Sequence, residues 1–399
     1  MRRILVLVAV AALGAALVRT APAAEPAGLV RTVVIDRLQS PWSIAFLNAR
    51  EALITEKEGG LLLADLERGE TTVVRGLPAD LVDDVRAESR GDNGGLFDVV
   101  LHPSFPDQPW VYLSYAAKSG TGRTTKVIRA RLRDETLSDV QTILVATPYT
   151  EDEYFHYGGG LVFGADGKLY VTIGERLFRE IDGPALPIAQ NFTDRRGKIY
   201  RLNPDGSAPD DNPDFGPEAP AGLYASGIRA AQGLALHPDT GDIWFSEHGT
   251  RQGDEINRLE AGANYGWPIV TSGGYRDDSY VPPTLPDRIY TAPVWSWPQT
   301  VAPTGLVFYR GDVFPQWQGD LFVSGLSRGS LWRFNFERGE IRSVEELFVD
   351  DRVRSRNVAV APDGRLYMLT DTLLKTASDG SLEYTGEPGG QLLRIDASP

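Results

Sequence analysis

Along the chain one arrangement of hydrophobic and polar positions recurs: a small residue, an apolar triplet, a Pro or Gly turn, then a second apolar run rich in aromatic and β-branched residues. Copies begin at Ser43, Gly95, Gly160, Gly233, Gly305 and Asn357. Three of them match closely: Gly160-Leu161-Val162-Phe163 leads to Leu169-Tyr170-Val171-Thr172, Gly233-Leu234-Ala235-Leu236 to Ile243-Trp244-Phe245-Ser246, and Val358-Ala359-Val360-Ala361 to Leu366-Tyr367-Met368-Leu369. Ala165-Asp166-Gly167, Asp239-Thr240-Gly241 and Pro362-Asp363-Gly364 separate the runs and supply the Asp/Gly pairs that tight hairpins prefer. Each copy therefore predicts a β-hairpin, and no long helical period competes with it.

Six copies in about 376 residues leave about 63 residues each, enough for four strands and their loops. Hairpins repeated in this way bury one sheet face on each neighbour when arranged radially, which predicts an all-β, six-bladed β-propeller of four-stranded antiparallel blades. Leu29 to Ile35 and Gln391 to Ile395 are the expected ring-closing strands, so the ordered fold should run from about residue 30 to 397 within one domain, 24–399. No Ser/Pro linker divides it. Ahead of it, Arg2 and Arg3 precede an apolar run from Ile4 to Val18, and Ala21-Pro22-Ala23 offers small residues to a signal peptidase. That run is shorter than the roughly 20 residues that cross a bilayer, so residues 1–23 are expected to be a cleaved signal peptide and the mature chain periplasmic or secreted, without membrane insertion.

Composition narrows the chemistry. The chain carries 54 acidic against 40 basic residues, a formal charge of −14, and no basic cluster, which argues against nucleic acid as a partner. Cysteine is absent, excluding thiolate nucleophiles, Cys-ligated metals and disulfides. What remains is oxygen and nitrogen chemistry, with four histidines in all.

Hairpin phase locates a site. Residues entering the first strand of an antiparallel hairpin and those leaving the second lie at the same end, so six radial hairpins gather these positions at one mouth of the channel. Before first strands stand Asn93, His156, Arg229, and Arg354 with Arg356; after second strands stand Glu56, Glu175, Glu247-His248-Gly249-Thr250, Ser327-Arg328 and Asp371. His102 and His237 fall in Leu-His-Pro turns at the opposite end and read as solvated turn residues. Arg354 and Arg356 alternate and would project to one side of an extended strand, forming an anion clamp if they line the mouth. Gly325-Leu326-Ser327-Arg328-Gly329 spells a hydrolase elbow, but the strand-like Ser330-Leu331-Trp332-Arg333-Phe334 follows where that motif needs a helix. The acidic run Asp210-Asp211-Asn212-Pro213-Asp214 lacks EF-hand spacing and reads as a solvated loop.

From Pro41-Trp42 to about Ile395 the chain resembles the soluble quinoprotein aldose sugar and glucose dehydrogenases, which are six-bladed and use pyrroloquinoline quinone (PQQ). The segments that carry the resemblance are Gly197-Lys198-Ile199 through Asn212-Pro213, Gly227-Ile228-Arg229 with Gln232-Gly233, Glu247-His248-Gly249, Asp254-Glu255-Ile256-Asn257, and Asn264-Tyr265-Gly266-Trp267-Pro268. The resemblance implies that His156 is the base toward a sugar's anomeric hydroxyl and that Arg229 stabilises the quinone oxygen. It implies that Arg354 and Arg356 hold PQQ carboxylates, with Asn93, Tyr275 and Ser327 at further cofactor-binding positions. It also implies that Gly249 and Thr250 bind a calcium ion (Ca²⁺) through their carbonyls and that Glu255 and Tyr265 form a second calcium site.

The sequence departs from that family at four places. Asn93 stands for a Gln, Ala230 for an Asn, Ser327 for a Lys and Gly160 for an Arg. Loss of the Lys removes a positive charge from a site for a tricarboxylate, with Arg328 the nearest replacement. The expected function is calcium- and PQQ-dependent oxidation of an aldose to its lactone, with a separate electron acceptor. Two alternatives stay open: a propeller that binds sugar or calcium without PQQ, and a calcium-dependent lactonase-type hydrolase built on Glu56, Glu175, Glu247 and Asp371.

Overall fold

The computed structural model describes residues 28–83, 93–151, 155–177, 180, 186–327, 329–337, 339–349, 353–376 and 382–398. The expected signal peptide and Arg328 lie outside the described residues. Six antiparallel sheets of four strands each form the blades of a β-propeller. Their innermost strands, in blade order, are Pro41–Phe46, Leu96–Leu101, Gly158–Phe163, Ala231–Leu236, Pro303–Phe308 and Val353–Val360, and these neighbour one another in a closed cycle. The second strands are Glu51–Glu56, Trp110–Ser119, Leu169–Ile173, Ile243–Glu247, Leu321–Gly325 and Leu366–Thr376. All six copies of the sequence pattern are thus the two inner strands of a blade.

Ring closure joins the two ends of the chain. The outermost strand of the sixth sheet is Leu29–Leu38, paired antiparallel with Leu382–Ala397 in a register that sets Arg31 opposite Ile395 and Val33 opposite Leu393. Core packing follows the seams between blades rather than a single centre. Tyr170, Ile199 and Ala225 of the third blade meet Leu234, Ile243 and Phe245 of the fourth, and Tyr367, Leu369 and Leu392 of the sixth meet Ile44 and Ile54 of the first. Because both faces of a second strand are covered, its residues read as an unbroken apolar run rather than an alternation.

Every innermost strand shifts register against its second strand near the mouth, an irregularity shared by all six blades. In four blades a buried hydroxyl on the second strand holds that irregularity and ties it to the next blade. Thr55 accepts from Ser43 N (3.0 Å) and donates to Phe97 O (2.5 Å); Ser114 accepts from Asp98 N (3.0 Å) and donates to Gly159 O (2.5 Å). Thr172 accepts from Gly160 N (2.8 Å) and donates to Ala231 O (2.9 Å), and Ser246 joins Gly233 N (3.2 Å) to Thr304 O (2.6 Å). At the last two seams the innermost strands do the same work, Thr304 Oγ1 donating to Arg356 O (2.6 Å) and Asn357 Nδ2 to Trp42 O (3.1 Å).

This close approach explains the small residues of the sequence pattern. A Cβ at Gly160 would lie 2.8 Å from Gln232 O, so no arginine fits there, and one at Gly233 would overlap Thr304 O. The second copy needs a correction. Its ring position is Asp98, whereas Gly95 serves the entry turn, at φ +110 with its α-carbon against Lys57 O. Asp98 accepts from Ser43 Oγ (2.5 Å), Val99 N (2.9 Å) and Leu161 N (2.7 Å), pinning three blades, and burial raises its carboxyl to about 6.

Replacing Thr172 by Val keeps the shape and strips partners from Gly160 N and Ala231 O, so Thr172→Val should cost about 2–4 kcal/mol of stability. Ser324, at the corresponding place in the fifth blade, is buried with no hydrogen-bond partner for its hydroxyl among the described residues. Ser324→Ala should cost under about 1 kcal/mol. Urea unfolding of the two variants checks the contrast, and equal losses would refute the role assigned to the hydroxyl.

Candidate functional site

At the mouth, the end of each second strand faces the entry to the first strand of its own blade, and in four blades a carboxylate stands there. Glu56 Oε1 accepts from Gln39 N (2.5 Å), and Glu247 Oε1 from Arg229 N (2.5 Å) and Ala230 N (3.3 Å). Glu175 Oε1 lies 3.6 Å from His156 Nδ1, and Asp371 Oδ2 lies 3.6 Å from Arg354 Nε. The mouth therefore repeats one device around the ring, with different side chains presented to it.

In the third blade the device holds an imidazole. His156 precedes the innermost strand at φ 49, a left-handed conformation that costs energy in a non-glycine residue and turns the ring to the mouth. Its Nδ1 is buried without a hydrogen-bond partner among the described residues. Burial, then the Arg229 guanidinium, the His248 ring and the guanidiniums of Arg276 and Arg176, hold the imidazole well below its usual pKa, so it is neutral at pH 7. Arg176 is itself fully buried, its guanidinium carbon 3.4 Å from the centroid of the Tyr157 ring and Nη1 donating to Phe155 O (2.7 Å).

Arg229 enters from the fourth blade. Its backbone is gripped at both ends, N–H by Glu247 and carbonyl by Glu175 N (3.0 Å). Its side chain is buried, with Nη1 donating to His248 O (3.3 Å) and the guanidinium 5.1 Å from the Trp267 ring centroid. Nε and Nη2 have no hydrogen-bond partner among the described residues. Two unbonded guanidinium nitrogens beside an unbonded imidazole nitrogen are costly alone and suit an anionic or carbonyl oxygen ligand.

Arg356, from the sixth blade, is buried with Nη1 on Gln232 Oε1 (2.9 Å) and its guanidinium 5.6 Å from the Trp42 ring centroid. Arg354 stays on its own blade beside Asp371. The strand that carries the pair shifts register on both sides of Ser355. Ser327 is half-buried at the mouth end of the fifth blade, with its N–H on Val301 O (3.0 Å), and Asn93 is exposed. Tyr275 donates to Pro268 O (2.7 Å) and packs on Trp267 and Tyr280.

The donor chemistry fits the groups that the sequence implies. Arg229, Arg354 and Arg356 supply cations for carboxylates and a quinone oxygen. The carbonyls of Gly249 and Thr250 accept no hydrogen bond among the described residues, while Gly249 N is held by Asp254 Oδ1 (2.7 Å) and Thr250 Oγ1 by Gly274 O. Such a turn offers two free oxygens to a hard cation. Glu247 and Glu255 sit opposite each other in register, and burial raises both carboxyls, aided by repulsion from Glu255 at Glu247 and from Asp254 at Glu255. With Gly249 and Tyr265 they line a cavity of about 20 Å³, room for one ion. The Tyr265 hydroxyl is committed to Arg258 O (2.6 Å) and Glu260 N (3.0 Å), leaving its carbonyl as the available donor. Among the described residues no three carboxylate or imidazole side chains gather around one point.

Several buried polar residues near the mouth escape sequence reasoning. Lys198 is fully buried, its Nζ donating to the carbonyls of Ile188, Ala189 and Arg196, and burial pulls it down to about 7. Gln190, Arg176 and Glu180 are likewise buried. The one available signal was Lys198 inside the segment that carries the resemblance. Asp211 and Asn212 do not merely face solvent; both bind the Arg201 guanidinium, which also takes Asp166. The G-x-S-x-G run joins Leu321–Gly325 to the strand Ser330–Glu337, so no hydrolase elbow forms.

Comparison with known proteins agrees with the fold. A family model described as Glucose / Sorbosone dehydrogenase matches residues 38–382. The aldose sugar dehydrogenase YliI of Escherichia coli is 35% identical over 356 residues, 87% of this chain and 91% of that protein. The quinoprotein glucose dehydrogenase B of Acinetobacter calcoaceticus is 28% identical over 446 residues, covering 92% of this chain and 90% of that one. The crystal structure of the soluble E. coli aldose sugar dehydrogenase in its apo form superposes with a TM-score of 0.79 at 32% identity, covering 92% of this chain and 99% of that one. This chain belongs to the glucose/sorbosone dehydrogenase family of oxidoreductases.

Proposed function

We propose that the protein oxidises an aldose at its anomeric carbon to the lactone, using PQQ and calcium, and passes the electrons to a separate acceptor after export from the cytoplasm. The observation that carries the reading is the pairing of a buried neutral His156 with the unbonded Nε and Nη2 of Arg229 at one mouth. When bound, PQQ would supply the hydride acceptor and calcium a Lewis acid. Arg229, Arg354 and Arg356 hold the cofactor's anionic edge, and Gly249 and Thr250 present carbonyls to the cation. His156 takes the proton of the anomeric hydroxyl, so that the C1–H bond breaks with its electron pair as the hydroxyl oxygen becomes a carbonyl. Glu255, with the Tyr265 carbonyl and Glu247 beside it, holds a second cation that relieves the repulsion between the two carboxylates.

The hydrolase alternative loses its support here. It needs carboxylates from several blades around one metal, whereas Glu56, Glu175, Glu247 and Asp371 each turn to the entry of their own blade. Among the described residues no helix is long and apolar enough to cross a membrane.

His156→Ala should lower kcat by about 10²–10⁴-fold with PQQ still bound, as expected for loss of a general base. Near-normal turnover at saturating PQQ would remove His156 from that role. The pH dependence has a definite sign. The base works when neutral, and its surroundings lower its pKa, so the acidic limb of kcat/KM should fall below the ordinary histidine value of about 6.5. Arg229→Met removes a nearby cation and should move that limb to higher pH.

Ser327→Lys should tighten PQQ binding about tenfold or more, because a charge-assisted hydrogen bond to a carboxylate contributes about 1.5–3 kcal/mol. Absorbance titration of both forms in Ca²⁺ reads it. Equal affinities would show that another cation already fills the place, and no binding by either would favour a propeller that works without the quinone.

A further inference from the structure

Three segments distant in sequence, Gly197-Lys198-Ile199, Gly227-Ile228-Arg229 and Asn264-Tyr265-Gly266-Trp267-Pro268, meet around the short turn that ends in Gln190, the first two at its Ile188 and Ala189 carbonyls and the third at the Gln190 side chain. It ends the short turn Ile188–Gln190 and is fully buried. Gln190 and Asn264 form a reciprocal amide pair, Nε2 donating to Oδ1 (3.0 Å) and Nδ2 to Oε1 (2.7 Å). Gln190 Nε2 also donates to Trp267 O (2.7 Å), and Asn264 Oδ1 accepts from Gly266 N (3.0 Å). The turn that presents Gln190 is held by Lys198 Nζ, which donates to its Ile188 and Ala189 carbonyls.

Between the turn and the Asn264–Trp267 segment runs the approach to Arg229. Gly227 N donates to Ala189 O (3.1 Å), Trp267 N to Gly227 O (3.1 Å), and Ile228 N to Gly197 O (3.2 Å). A Cβ at Gly227 would overlap Asn264 Oδ1, so the contact demands glycine, which also sits at φ +75. Trp267, held by its backbone at both ends, then supports the Arg229 guanidinium with its ring.

We propose that Gln190, paired with Asn264, is a positioning residue for Arg229: the amide pair fixes the Trp267 backbone, and the Trp267 ring fixes the guanidinium at the mouth. A buried amide pair suits this task because each partner is satisfied only in one relative placement, so a small displacement of the segment breaks several bonds at once. Its kinetic consequence rests on the quinoprotein reading, while its structural consequence does not.

The test compares Gln190→Leu, which removes every hydrogen bond, with Gln190→Glu, which keeps the acceptor and loses the donors, each alone and combined with Arg229→Ala. One readout is the Nε–H resonance of Arg229 in the cofactor-free protein, assigned by its disappearance in Arg229→Ala. The other is kcat and KM at saturating PQQ and Ca²⁺. Both Gln190 variants should shift or broaden that resonance and lower kcat by about tenfold or more, with KM for the aldose changed by less than about threefold. Adding either to Arg229→Ala should change turnover no further. An unmoved resonance, or a loss that persists undiminished in the Arg229→Ala background, would overturn the proposal and leave Gln190 a general structural residue. If Gln190→Leu does not fold, Gln190→Glu decides by the same criteria. Absence of PQQ turnover in the unmodified protein would sink the quinoprotein reading alone, and the resonance would still decide the role of Gln190.

Discussion

The hydrogen bond from a second-strand hydroxyl to the backbone of the next blade is the constraint on which the rest of the propeller depends. A blade has strand pairing inside it and apolar contact outside it, and apolar contact alone is non-directional. Neighbouring blades could slide along their seams with little loss. A hydroxyl that accepts from its own blade's irregular N–H and donates to the adjoining carbonyl, as Thr172 does between Gly160 and Ala231, fixes both height and angle at the seam. It also satisfies two backbone groups that the register shift would otherwise leave buried and unpaired.

That fixed register makes the mouth a usable site. With the blades in register, the end of a second strand meets the entry to its first strand, and a carboxylate there faces the equivalent position of its own blade, whatever group stands at it. The neighbour is a bare backbone N–H at Gln39, an imidazole at His156, and a guanidinium at Arg354. At Arg229 the carboxylate holds the main chain and leaves the side chain free to point elsewhere. Chemistry is thus varied by substitution at equivalent points of a repeated frame, which is why residues far apart in sequence converge without any of them being near another along the chain.

The frame was legible because its signals are periodic. Small residue, apolar run, Asp/Gly turn and apolar run repeat six times, and each element reflects a local requirement: close approach at Gly160 and Gly233, two-sided burial at Leu169–Ile173, a tight turn at Gly167. The second blade shows where this reading slips. Gly95 looked like the ring residue, yet the ring position tolerates Asp98 because neighbouring donors satisfy its carboxylate. Candidate site residues were legible through phase, since His156 and Arg229 stand at equivalent offsets. Gln190, Lys198 and Arg176 were not, because each answers the polar atoms of one irregular loop, and such a loop has no period from which its partners follow. The partners of Arg354 and Arg356, Asp371 and Gln232, were likewise beyond what alternation reads, as the strand shifts register on both sides of Ser355.

Net charge was the least informative quantity about the site. The chain carries a formal charge of −14, yet the charges that act on His156 most strongly, after burial, are the guanidiniums of Arg229, Arg276 and Arg176. The two facts are compatible because exposed charges are screened within about 8 Å at physiological salt, whereas buried ones are not. Acidic residues spread over the surface therefore act weakly at the mouth, while a few desolvated guanidiniums set its sign. Desolvation raises the cost of each such cation until an anion or a polar oxygen meets it. Arg229, with two nitrogens unbonded and its backbone clamped, cannot relieve that cost by moving toward Glu247, whose near oxygen already holds the main chain. A ligand oxygen at the mouth would relieve it, and the clamped backbone of Arg229 keeps the two nitrogens placed to meet one.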